Sequence, residues 1–243
     1  LLVSFRHRLT VEETAHALIQ TLESLEEAHQ LGIIHRDVKP DNVLCVPPAG
    51  SFRAPEAAGT LHQILGVPPM SDPVWGDLTQ AWIRVVDFGL GKMLDVGGRR
   101  VKPLTRAGMA AGTATYMSPE QLQAKPIDHR SDLYSVAMML HRLLVGKETY
   151  GGGTVPEIAM AHISRPLPEL PEPWNDHPIA EVFQRAAAKD PEDRYVSAAA
   201  MAHALRCILD PNLATEPAPV FAPPPTPGEP GLADRVMRFL KRS

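Results

Sequence analysis

The apolar positions along this chain fall into blocks of different period, and each block predicts an element. Val11, Ala15, Leu18, Leu22, Leu25 and Ala28 recur at helical spacing on an otherwise polar segment. Thr10 and Glu13 open that segment as a capping box, the hydroxyl taking an orphan N–H and the carboxylate reaching back to the cap. The spacing predicts a helix from Thr10 to about Leu31, ended by Gly32. Short apolar runs follow. Ile33-Ile34, Val43 to Val46 and Trp82 to Val86 each predict a short strand. Ser118 caps a predicted helix with Pro119 at its first position and Gln121 completing a capping box. Leu133 to Val145 is apolar almost all round, the profile of a helix buried in the middle of a domain. Thr154 and Glu157 form another capping box, and two more helices are expected near Ile179 to Ala188 and Ser197 to Leu209.

Three stretches break these patterns. From Pro47 to about Ala81, clustered prolines and glycines read as an irregular surface insert. Pro211 to Pro230 reads as a proline-rich, extended linker. Gly231 to Ser243 reads as a basic amphipathic helix, with Leu232, Val236, Phe239 and Leu240 on one face and Arg235, Arg238, Lys241 and Arg242 around the rest. Such a helix lies on an anionic membrane surface, precedes a membrane span beyond the given sequence, docks on the domain or stands in solvent. One short helix binds a membrane weakly, which favours the last two.

Composition narrows the class. A chain of 243 residues with 44% hydrophobic and 21% charged side chains buries a real core and is not disordered. A net charge of -4 argues against nucleic acid as a partner. Cys45 and Cys207 are far apart and in no metal-ligand spacing, which fits a reducing, cytoplasmic compartment. The 10 histidines form no His-Glu-x-x-His pattern. The sequence contains no apolar run long enough to span a bilayer and no visible signal peptide. Beginning at Leu1 rather than Met, the chain reads as a piece of a longer one.

Chemistry concentrates in His35-Arg36-Asp37-Val38-Lys39-Pro40-Asp41-Asn42, followed in order by Asp87-Phe88-Gly89 and Ser118-Pro119-Glu120. This ordered set resembles the catalytic loop, the magnesium-binding triplet and the substrate-side triplet of protein kinases. Residues 1–210 resemble the large C-terminal lobe, mainly α-helical with short strands around the catalytic loop. Gly112 to Glu120 and Ser131-Asp132-Leu133-Tyr134-Ser135 are similar to bacterial kinases of the eukaryotic (Hanks) type.

The resemblance implies roles. Asp37 orients the substrate hydroxyl and takes its proton, Lys39 faces the γ-phosphate of ATP, and Asn42 and Asp87 supply oxygen ligands to Mg2+. A lysine at this offset, with Thr113 after Gly112, points to a serine/threonine kinase acting on a protein substrate. Thr113 hydrogen-bonds Asp37 and Lys39 and shapes the substrate pocket. His35 packs near Phe88, Glu120 pairs with Arg194, and Asp132 binds backbone amides of the catalytic loop; these are scaffolding roles, since a buried acid needs a partner. Cys45 reads as a small buried hydrophobe. Arg36 receives a phosphate from the activation segment, and Thr105, the only hydroxyl side chain between Asp87 and Gly112, is the expected phosphosite.

A complete kinase begins with a glycine-rich loop, a strand lysine and its helix glutamate, none of which stands upstream of His35. Leu1 to Arg8 looks like the end of the helix after the hinge, so the small N-terminal lobe is expected to be absent and supplied, if at all, by missing upstream sequence. Three readings follow. The chain is the catalytic lobe of a serine/threonine kinase, a catalytically impaired pseudokinase-like binding module, or a small-molecule phosphotransferase. Retention of Asp37, Lys39, Asn42 and Asp87 together favours the first over the second, while the missing small lobe favours the second for this chain alone. Lys39, Thr113 and the Ser118-Pro119-Glu120 segment weigh against the third.

Overall fold

The computed structural model describes residues 8–46, 78–88, 114–217 and 219. The readings for Gly89, Thr105, Gly112, Thr113, residues 1–7, residues 47–77, the linker beyond Pro217 (Pro219 excepted) and the tail helix lie outside the described residues. Six helices and a two-stranded sheet make up the regular structure described: α1 (Val11–Gln30), β1 (Val43–Val46), β2 (Trp82–Val85), α2 (Pro119–Leu122), α3 (Arg130–Val145), α4 (Val155–Ser164), α5 (Pro178–Ala186) and α6 (Ala198–Leu209).

Local chemistry starts and stops these helices. Thr10, Ser118 and Thr154 each form a capping box with Glu13, Gln121 and Glu157. α1 ends in a Schellman motif: Gly32 sits at φ 75° and its N–H reaches His29 O at 2.9 Å, while Ile33 N–H reaches Ala28 O at 2.9 Å. α5 is capped by the ring of His177, whose Nδ1 accepts the Ile179 N–H at 3.1 Å.

α3 is the axis of the lobe; all of its residues except Arg130 and Arg142 are buried. α1 lays its Ala15, Leu18, Leu22, Leu25 and Ala28 stripe into the same core, with Val11 at its edge, and α5 and α6 close the other side with Phe183, Ile179, Met201 and Leu205. Truncating one such side chain, Leu140→Ala for instance, costs about 2–5 kcal/mol at sites of this kind. Cys45 is 7% exposed on β1 and burial pushes its thiol pKa up, so it packs as a small apolar residue.

β1 and β2 pair antiparallel, Val43 opposite Val85 and Val46 opposite Trp82. Gln20 of α1 holds the ribbon's outer end, donating from Nε2 to Ala81 O and accepting the Ile83 N–H, both at 3.0 Å.

Four expectations change. Ile33-Ile34 is not a strand: Ile33 N–H is spent on the end of α1, and just beyond the pair the His35 and Arg36 N–H groups go to a side chain, Asp132. Arg8 is not helical; the chain there runs alongside α3, with Leu9 N–H donating to Leu143 O at 3.0 Å. The irregular insert does not extend to Ala81, since Leu78–Gln80 is a 3-10 turn and Ala81 is buried. The linker does not begin extended: Pro211–Thr215 is a 3-10 turn, capped by Asp210 Oδ1 on the Asn212 N–H at 3.0 Å.

Candidate active site

The loop from Ile33 to Asn42 is held from below by one carboxylate. Asp132, on the first turn of α3 and 1% exposed, accepts His35 N–H at Oδ2 and Arg36 N–H at Oδ1, each at 2.9 Å. His29 Nε2 adds a third bond to Oδ2 at 2.8 Å. Burial is the largest influence on Asp132 and opposes its charge, but the bonds from His29 and His35 outweigh it and hold its pKa below the ordinary carboxylate value.

His35 sits at the centre of the loop and its tautomer follows from its partners. A carbonyl can only accept, so Nε2 carries the proton and donates to Val86 O at 3.0 Å. Nδ1 is then free to accept the Asp37 N–H at 3.3 Å. The ring packs tilted against Phe88 with centroids 4.8 Å apart.

Around Asp37 the polar groups converge. Lys39 Nζ donates to Asp37 Oδ2 at 3.0 Å, both side chains being 18% exposed. Asn42 Nδ2 donates to Asp37 O at 2.8 Å and lies 3.4 Å from Asp37 Oδ2. Its Nδ2 is thereby committed to Asp37, and Oδ1 is the atom with which Asn42 could ligate a cation. The ribbon continues this alignment: Val86 N–H donates to Asn42 O at 2.9 Å, so Asp87 follows one residue beyond the pair, exposed and at φ 58°. Among the described residues no cluster of three or more His, Cys, Asp or Glu is arranged to hold a metal. Two hard oxygen donors on adjoining strand ends still suit magnesium, which keeps waters and phosphate oxygens as its other ligands.

The substrate-side segment is anchored by a buried ion pair. Arg194 Nη1 and Nη2 donate to the two oxygens of Glu120 at 2.7 and 2.8 Å. The remaining Arg194 donors reach the carbonyls of Ala188, Arg130 and Lys189 at 2.8, 3.0 and 3.1 Å, so all five N–H groups are used. Ser131 Oγ donates to Glu120 Oε1 at 2.5 Å. Burial alone would raise the Glu120 pKa; Arg194 and then Ser131 bring it below its ordinary value.

Residues that sequence reasoning left out also build the site. His29 supports Asp132 from the end of α1, Gln121 Nε2 donates to Arg36 O at 2.9 Å, and Ser135 Oγ donates to Tyr116 O at 2.7 Å. Gln121 was visible only as a cap residue; nothing in its local pattern points 85 residues back to Arg36.

A helical lobe that fixes an Asp-Lys-Asn loop beside a second aspartate has the layout of a phosphotransferase. The protein kinase domain family matches residues 2–205, and the chain belongs to that family. It is similar to the serine/threonine-protein kinase Pkn1 of Myxococcus xanthus, 34% identical over 197 residues, covering 79% of this chain and 23% of Pkn1. It is similar also to pkn3 of the same organism, 32% identical over 196 residues, 78% of this chain and 30% of that one. With the serine/threonine-protein kinase PknA of Mycobacterium tuberculosis it shares 29% identity over 218 residues, 90% of this chain and 41% of PknA. The chain thus spans roughly a quarter to two-fifths of the length of these relatives. No helix among the described residues is long and apolar enough to cross a membrane.

Proposed function

We propose that this lobe transfers the γ-phosphate of ATP to serine or threonine hydroxyls of a protein substrate. The observation that carries the reading is the convergence of Lys39 and Asn42 on Asp37, with Asp87 at the adjoining end of β2. Asp37 accepts the hydrogen bond of the incoming hydroxyl, aims its oxygen at the phosphorus and takes the proton as the new bond forms. Lys39, now on Asp37, would turn to the transferred phosphate and neutralise charge on it as the hydroxyl attacks. Asn42 Oδ1 and Asp87 are the oxygens that would hold magnesium, whose charge neutralises the phosphate oxygens when it is bound. The remaining nucleotide contacts fall, on this reading, to a small lobe outside residues 1–243. Thr105 is the proposed activating phosphosite, with Arg36 among the groups that would meet its phosphate.

The test is transfer from γ-labelled ATP by the full-length protein to a general protein substrate, followed by phosphoamino-acid analysis. Label on serine and threonine is expected. Nucleotide binding without any transfer would favour the pseudokinase-like binding module instead, and transfer only to small molecules would favour the third class.

A further inference from the structure

Arg36 and Asp37 are joined by a peptide group whose two polar atoms are both taken. The Arg36 carbonyl accepts from Gln121 Nε2 at 2.9 Å, and the Asp37 N–H donates to His35 Nδ1 at 3.3 Å. The preceding peptide is held as well, with Arg36 N–H on Asp132 Oδ1 at 2.9 Å. These bonds surround a residue at φ 65°, in the left-handed region that strains any side chain larger than glycine's. A conformation of that kind persists only while its surroundings over-determine it.

Of these three contacts, only the Gln121 bond comes from the substrate-side segment. Its amide is committed at both ends. Oε1 accepts the Ser118 N–H at 3.0 Å and the Ser118 hydroxyl at 3.1 Å, while Nε2 turns to the Arg36 carbonyl. The partners decide the orientation, since an N–H can only donate and a carbonyl can only accept. Glu120, the neighbouring residue, is locked to Arg194, so Gln121 is presented from a fixed base.

We infer that Gln121 is a positioning residue for Asp37, gripping the carbonyl of the peptide that aims the aspartate and so joining the order of the substrate-side segment to the order of the catalytic loop. The catalytic consequence rests on the kinase reading proposed above; the local geometry does not. Displacing α2 removes the donor from Arg36 O, and the Arg36–Asp37 peptide then has one tether fewer against rotation toward an unstrained φ. Asp37 turns with it.

Gln121→Glu separates the two jobs of the side chain. A glutamate keeps the acceptor for Ser118, being itself a usual third residue of a capping box, but loses the Nε2 donor. Gln121→Ala places no charge beside the carbonyl and controls for repulsion. Amide hydrogen exchange of residues 35–37 in the full-length protein should quicken in both variants, while the melting temperature of Gln121→Glu stays near the parent's. The kcat of both should fall about tenfold, as for loss of one bond to a part-buried carbonyl, with KM for ATP little changed. Exchange at 35–37 equal to the parent's would overturn the inference, as would an undiminished kcat in the variants of an active parent. A parent that transfers no phosphate counts against the kinase reading, and the exchange measurement then decides this inference alone.

Discussion

Asp132 and Arg36 stand 96 residues apart, yet the buried Asp132 carboxylate accepts the Arg36 backbone N–H at 2.9 Å. The other oxygen takes His35 N–H and the His29 ring, so the two backbone N–H groups just before Asp37 share one carboxylate. Asp132→Asn offers one oxygen and one NH2 to groups that all donate, leaving at least one backbone N–H facing a donor. A loss of about 2–4 kcal/mol in urea unfolding is expected. A change below about 0.5 kcal/mol, the scatter of ordinary surface substitutions, would show that the loop is held by other means.

The buried pair of Glu120 and Arg194 predicts a non-additive pattern. Arg194→Leu leaves the Glu120 carboxylate buried without a counter-charge and should cost about 3–5 kcal/mol. Adding Glu120→Gln removes the uncompensated charge, so the double variant should be more stable than Arg194→Leu alone. A double-mutant cycle by denaturant unfolding checks this; simple additivity would contradict it.

Elements that depend on neighbours in sequence were legible; those that depend on neighbours in space were not. The three capping boxes and the α1 stripe could be read from the chain because a cap and its partner are three residues apart and a stripe repeats every turn. The expected strand at Ile33-Ile34 misled because apolar character is shared by strands and by any buried backbone, while the Ile33 N–H is taken by the end of α1 and the His35 N–H just beyond by Asp132. The pairing of Glu120 with Arg194 came from family resemblance, not from spacing. His29, Gln20 and Gln121 were missed since each looks like an ordinary helix residue until its distant carbonyl or carboxylate partner is known.

Acid should destabilise the lobe through His162. The ring is buried beside α3, with Tyr134 OH and its Nδ1 2.9 Å apart, and its pKa is lowered to about 4, first by burial and then by the charge of Lys189. Between pH 6.5 and about 4 the unfolded chain binds a proton that the folded chain refuses, so stability rises with pH across that window. The contribution is fully present above 6.5 and is lost as pH falls toward 4, on the order of 3 kcal/mol at most. Asp132 and Glu120, both held below their ordinary values, add a loss of the same sign at still lower pH. Melting temperatures from pH 7 to 4 should fall in the parent and fall less steeply in His162→Gln. Equal slopes would mean that His162 does not titrate as its burial requires.

The central claim is that Asp37 is the group through which the hydroxyl substrate reacts, with Lys39 and Asn42 arranged around it. Asp37→Asn preserves size and keeps a hydrogen-bonding side chain while removing the base. The most direct measurement is single-turnover phosphoryl transfer from ATP in the presence of magnesium, comparing the full-length parent with this variant. The account predicts that transfer falls at least a hundredfold, the scale of a lost general base, while nucleotide binding by calorimetry is retained. Transfer by Asp37→Asn at the parent's rate would contradict it.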